Sequence, residues 1–306
     1  MQAEEEGLMR AMCFYDALDF PPTRAELVRG CDHVSRSAYH VSHIAHHVSS
    51  VQRLLDQGML METRGRLTFH GREAIVAEHE LREGLFPRKI RNARRVARWL
   101  ARLDGVRFVA LCNTTALMHA RDEGDLDFFI ITRAGTVWQT RAWATLPFLL
   151  SRRRPAEVHG KKDAVCLSFF IDDTALDLSP LVLAGDDVYF RHWFLSLLPL
   201  YDDGIGQKFW EANAPLRLRH PYAKPWIVSS DLGVVRPCVR VPMPDFCERP
   251  ARRVQSRAFP SSLQAIMNRD TCVVINEHVL KFHTDDGRAA FREAYIARCR
   301  TYGVAP

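Results

Sequence analysis

The 306-residue sequence contains no apolar run of the roughly 20 residues that a membrane-spanning helix requires. The nearest approach, VWQTRAWATLPFLL at 137–150, carries Gln139, Arg141 and Pro147. It reads as a buried or half-buried helix, so no membrane span is expected. The first ten residues, MQAEEEGLMR, are acidic and lack the apolar core of a secretory signal. Cysteine is not scarce, but its eight copies form no Cys-x-x-Cys pair and no close framework. Free thiols and a cytoplasmic location are the expectation. Internal repeats and low-complexity tracts are also missing, which excludes a solenoid or a tail-like chain.

What is present is an ordinary globular composition with a net charge of +6, which suits a polyanionic partner such as a nucleotide or a nucleic acid. The length fits two or three domains. Residues 8–20 carry apolar positions at helical spacing and stop at Pro21-Pro22. Thr23 and Glu26 form a capping-box pattern opening a helix at Arg24–Val28. A third helix over Val48–Gln57 ends at Gly58. Two short β-prone pieces then flank Arg64-Gly65-Arg66, which reads as a hairpin. Three helices followed by a hairpin give a winged-helix-like domain over 1–85.

Residues 73–103 read as helical with an interruption at Pro87. From 90 to 103 the apolar positions form one stripe, and Arg88, Lys89, Arg91, Arg94, Arg95, Arg98 and Arg102 are assigned to the opposite face. That face is either a solvated surface or one that meets phosphates. Strand signals follow at 106–112, 127–132 and 164–171, with helices at 137–150, 188–198 and 205–213 between and after them. A domain over 86–215 is expected, followed by an irregular arm rich in Pro and Arg and a helical segment over 216–306.

The chemistry concentrates in CNTTALMHARDEGDLDFFII, residues 112–131. Asp125 and Asp127 are two residues apart at a strand start, so both carboxylates face one side while Leu126 faces the core. Hard oxygen ligands so placed suit Mg²⁺, which keeps several waters and binds phosphates through a few carboxylates. Upstream, a strand ends in the turn Asn113-Thr114, ten residues before the Asp-x-Asp begins.

This spacing resembles the Gly-Ser, ten residues, Asp-x-Asp signature of the DNA polymerase beta-like nucleotidyltransferases. The likeness extends along the chain. FYDALDFPPTRAEL, FHGRE, VRFVALCNTTALMHARDEGDLDFFIIT, VCLSFFID, the 198–201 segment LPLY, FWEAN and VLKFHTDD are similar to pieces of prokaryotic nucleotidyltransferase-domain proteins with an N-terminal winged-helix-like region. The resemblance implies an α+β fold, a mixed sheet with flanking helices behind a small winged-helix-like domain. It implies use of an NTP, with ATP the default, and of Mg²⁺. Asp125 and Asp127 would be catalytic and metal-binding, and Asn113 and Thr114 would meet the nucleotide. The acceptor, nucleic acid or protein or another molecule, is not specified.

The chain departs from the family at the turn, where Asn113 and Thr114 replace Gly and Ser. Asn is among the residues best able to adopt the left-handed backbone that Gly favours, and Thr keeps a hydroxyl. These enzymes often place a third acid on a later strand. Here the inward position of VCLSFFIDD is expected at Ser168, which cannot serve. Asp172 is the candidate third metal ligand, with Asp173 beside it, and both equally fit turn positions. Lys161 and Lys162 are candidates to hold the triphosphate, or they belong to a solvated loop. His192 is a further candidate, against a structural role. The histidines His33, His40, His43, His46 and His47 lack a Cys or acidic partner at metal-site spacing and read as structural or surface groups. Two functions follow: transfer of a nucleoside monophosphate from NTP to an acceptor, or nucleotide sensing or nucleic-acid binding by a catalytically degenerate relative.

Overall fold

The computed structural model describes residues 3–32, 44–151 and 162–306. Its first elements are α1 (Ala3–Ala17), α2 (Arg24–Arg29), α3 (Ile44–Asp56) and the strands β1 (Met61–Thr63) and β2 (Arg66–Thr68). Thr23 caps α2 in the expected way. Its hydroxyl accepts from the Glu26 amide at 3.2 Å, and its own amide donates to the Glu26 carboxylate at 2.8 Å. The hairpin closes through Arg64 and Gly65, at φ +52° and +74°, the paired left-handed residues of a two-residue turn. Three helices and a hairpin thus succeed one another in the expected order.

The core of this segment is completed from the far end of the chain. Leu8, Met12, Phe14 and Leu27 share one buried cluster with Val188, Tyr295, Cys299 and Val304. Asp32, 1% exposed, binds it further: its carboxylate accepts from Arg191 at 3.0 Å and Arg219 at 2.6 Å, and its carbonyl accepts from Arg10 at 3.0 Å.

Next come α4 (Ala74–Glu83), α5 (Phe86–Leu100), β3 (Val106–Leu111), the one-turn α6 (Asn113–Ala116), β4 (Leu126–Thr132), α7 (Val137–Leu150) and β5 (Val165–Asp172). Pro87 stands in the first turn of α5, where its missing N–H costs nothing. The chain continues through α8 (Val188–Leu195), β6 (Leu198–Asp202), α9 (Gly206–Ala212), α10 (Ala214–Arg217), α11 (Glu248–Arg257), α12 (Ser261–Ile266), β7 (Val273–Ile275), β8 (Val279–Phe282) and α13 (Arg288–Thr301).

Six strands make one mixed sheet in the order β6-β3-β4-β5-β8-β7. Only β4 and β5 run parallel; the other neighbours are antiparallel. Strand alternation gives the sheet two apolar faces. Val109, Leu111, Leu126, Phe128, Ile130 and Phe170 pack with α5 and α7. Phe108, Phe129, Ile131 and Phe169 pack against Trp193 and Phe194 of α8 and Phe209 of α9. The protein is therefore an α+β mixed sheet with flanking helices.

Three strands exceed the sequence expectation. β6 contains Pro199, which an edge strand tolerates. β7 and β8 are three and four residues long and lie between the expected irregular arm and the expected C-terminal helix, where no element is expected. The segment from 216 is irregular only as far as Pro244, after which it returns three α-helices and two strands to the structure. All eight cysteines are free. Among the described residues, no helix is long and apolar enough to cross a membrane.

Candidate functional site

The site lies where β3 ends and β4 begins. Cys112 is still extended, and its amide donates to the Asp127 carbonyl at 3.1 Å. Asn113 then turns at φ +57°, in the left-handed region that its short amide side chain tolerates, and opens α6. Thr115, 1% exposed, donates its hydroxyl to the Asp125 carbonyl at 3.2 Å. The turn and the acid pair are therefore one construction.

Asp127 lies near Tyr189 on the sheet face covered by α8, with Asp125 just before the strand, while Leu126 is fully buried on the other face. Asn113, and Cys166 from β5, lie beside the Asp127 carboxylate and oppose the rise that burial imposes on it. On its other side Asn113 Oδ1 accepts from the Tyr189 hydroxyl at 3.4 Å. Burial holds both carboxyls above the usual carboxylate range. For Asp125 the neighbouring Asp127 charge adds to the rise, and Lys89 opposes it in both. An acid pair raised by burial and mutual repulsion is stabilised by a cation placed between its members.

Lys89 corrects the reading of α5. Arg91, Arg95, Arg98 and Arg102 are exposed, but Lys89 is 1% exposed. Its ammonium donates to the Gly124 carbonyl at 2.7 Å and to Asp163 at 2.9 Å, fastening α5 to the loop that delivers Asp125. The signal was in the spacing. Lys89, Ala93, Val96 and Leu100 fall on one helical stripe, all buried.

Of the other candidates, Lys162 is spent on Asp122, which Arg88 also holds at 2.5 Å. Lys161 and the histidine group His33, His40, His43, His46 and His47 lie outside the residues whose side chains are described. His192 is structural: it stacks on Phe14 at 3.6 Å, and burial drives its pKa well below the usual value. A second histidine pair, missed in the sequence, supports the segment after α6. His79 and His119 share a 2.8 Å contact, and Arg82 reaches His119 at 2.5 Å. Burial, with Arg82 and His79, takes His119 down to about 3.

Asp172 does not join the acid pair. β5 runs parallel to β4, with Cys166 beside Asp127 and Asp172 beside Thr132. The five steps along β4 from Asp127 to Thr132 separate the two places by roughly 16 Å. Asp172 is fully buried and saturated, accepting from the Thr174 amide and hydroxyl at 3.0 and 2.6 Å and from His278 at 2.8 Å. Asp173 accepts from Arg107 at 2.6 Å and the Ala134 amide at 2.9 Å. Both are turn acids.

The positions of β5 nearest the pair are Cys166 and Ser168, their sulfur and oxygen 3.4 Å apart. Among the described residues, no three His, Cys, Asp or Glu side chains are grouped to hold a metal. The pair alone fits a Mg²⁺ that keeps most of its waters and takes phosphate oxygens, not a cage built wholly of protein ligands. Beyond Asn113 lies a cleft of about 520 Å³ between the N-terminal helices and α8, lined in part by Asn113 and Thr114. No family model matches this chain, and no curated protein or solved structure is significantly similar to it.

Proposed function

We propose that the protein is a Mg²⁺-dependent nucleotidyltransferase of the polymerase beta-like type. It would take an NTP, ATP by default, and transfer the nucleoside monophosphate to an acceptor. The observation that carries this reading is one side chain: Asn113 is left-handed, as the Gly of the resembled turn would be, and it lies beside the Asp127 carboxylate, whose pKa it helps to lower. The turn and the second acid of the resembled signature, far apart in sequence, therefore meet. An antiparallel β3–β4 pair joined through α6, with β5 parallel to β4, is compatible with it.

In this reading Asp125 and Asp127 would hold Mg²⁺, which when bound neutralises the triphosphate charge. Thr114, exposed and with its hydroxyl unpartnered among the described residues, offers a donor to a phosphate oxygen. Thr115 and Lys89 keep the acid pair in register by fixing the backbone on either side of Asp125. An acceptor hydroxyl attacks the α-phosphorus and loses its proton to solvent, its new P–O bond forms as the bond to the β-phosphate breaks, and pyrophosphate leaves.

Cys166 and Ser168 favour a second reading. No acid on β5 stands ready to accept the proton of the attacking hydroxyl, so the site would bind Mg²⁺–NTP without turning it over. Calorimetry with Mg²⁺–ATP, paired with a pyrophosphate-release assay across hydroxyl and phosphate acceptors, separates the two. Binding with release supports transfer, and binding without release supports sensing. Absence of binding removes both.

A further inference from the structure

The 520 Å³ cleft has a lining chemistry of its own. It is bounded by α1, α2 and β2 on one side, and by α8 and the 195–199 and 224–227 segments on the other. Its wall is mostly apolar, with Tyr15, Trp193 and Trp226 the chief aromatic surfaces. Trp226 is held firmly: its indole N–H donates to the Leu195 carbonyl at 3.3 Å, and its ring stacks on Phe209.

The charged groups of the lining are unequally used. Arg66 binds both acids, Glu26 and Glu83, each at 3.1 Å. Arg29 and Lys224 are exposed at the cleft and have no hydrogen-bond or ion-pair partner among the described residues. Their two segments meet at Gly30 and His220. Arg29 adjoins Gly30, whose carbonyl accepts from His220 at 3.2 Å, and Lys224 follows His220 by four residues.

An apolar, aromatic-walled cleft of this volume matches a compact organic molecule. Two unspent cations in its lining match a dianion. We propose that the cleft binds a phosphate monoester with an apolar or aromatic body. The phosphate would lie between Arg29 and Lys224, and the body against Trp226. This holds whether or not the acid pair uses a nucleotide.

The test uses the full-length protein without Mg²⁺ or NTP, so that its failure is distinct from failure of the nucleotide reading. Binding of 1-naphthyl phosphate, 1-naphthol and inorganic phosphate is measured by calorimetry and by tryptophan fluorescence. The expected result is 1-naphthyl phosphate binding at least tenfold tighter than either half-molecule. Arg29→Gln with Lys224→Gln, both surface changes, reduces it to the level of 1-naphthol. Trp226→Leu weakens 1-naphthyl phosphate and 1-naphthol together. Equal affinity for 1-naphthyl phosphate and 1-naphthol, an undiminished affinity in the double variant, or no binding of 1-naphthyl phosphate would overturn the proposal. Circular dichroism confirms that each variant is folded before it is scored.

Discussion

The two ends of the β4–β5 strand pair carry the same residue type in opposite conditions. At one end Asp172 and Asp173 have every nearby donor directed at them: two from Thr174, one from His278, one from Arg107 and one amide from Ala134. At the other end Asn113, Cys166 and Lys89 only partly offset the burial of Asp127, and both Asp125 and Asp127 are held above the usual carboxylate range. Buried acids that fold the chain are satisfied by the chain. Acids left short of donors, close together and raised, are the ones available to a ligand.

The comparison can be broken by exchanging the two ends. The largest expected effect is on ligand binding. Asp127→Asn lowers Mg²⁺–ATP affinity by roughly tenfold or more, the cost of one charge-assisted contact, as measured by calorimetry. The same change stabilises the metal-free protein at pH 7. The sign follows from the raised pKa: a carboxyl held above its usual 3.8 favours folding only below that value, and that contribution is lost as pH rises through the folded value. At neutral pH the charge therefore costs stability, and Asn removes the cost. Asp172→Ala behaves in the opposite way. It strands buried donors and costs about 1–3 kcal/mol in urea unfolding while leaving Mg²⁺–ATP affinity unchanged.

A smaller effect sharpens the contrast. Cys166→Asp places a third acid beside Asp127, on the strand position where β5 lacks one. Its melting temperature falls without Mg²⁺ and rises with Mg²⁺ by more than that of the wild type. A separate effect, spread over several residues, comes from pH. His119 is held at about 3 and His220 at about 4, both chiefly by burial. Lowered histidines give stability that is complete above the usual 6.5 and lost as pH falls toward the folded values. Each removes about 1.4 kcal/mol per pH unit within that window. Stability measured from pH 7 to 5 should fall, and His119→Phe should flatten the slope.

The local features were legible because they are written in short-range patterns. The Thr23 capping box, the Arg64-Gly65 turn and the bounds of the 137–150 helix all follow from adjacent residues. The left-handed turn at Asn113 was readable for the same reason. Strand direction was not. Asp172 is excluded from the acid pair because β5 runs parallel to β4, and no local pattern states that. β6, β7 and β8 are too short, and β6 too marked by Pro199, to announce themselves as strands. The packing of α13 on α1 joins residues nearly 300 positions apart through Tyr295 and Cys299. Lys89 was readable but was sorted by its charge instead of its helical position.

The central claim is that one end of this strand pair is reserved for a cation and the other is not. Its most direct test is crystallography of the full-length protein with Mn²⁺ and a non-hydrolysable ATP analogue, read by anomalous scattering. The account predicts a peak bridging Asp125 and Asp127, with phosphate density reaching toward Thr114. A peak at Asp172, or none at either end in crystals that contain the nucleotide, would contradict it.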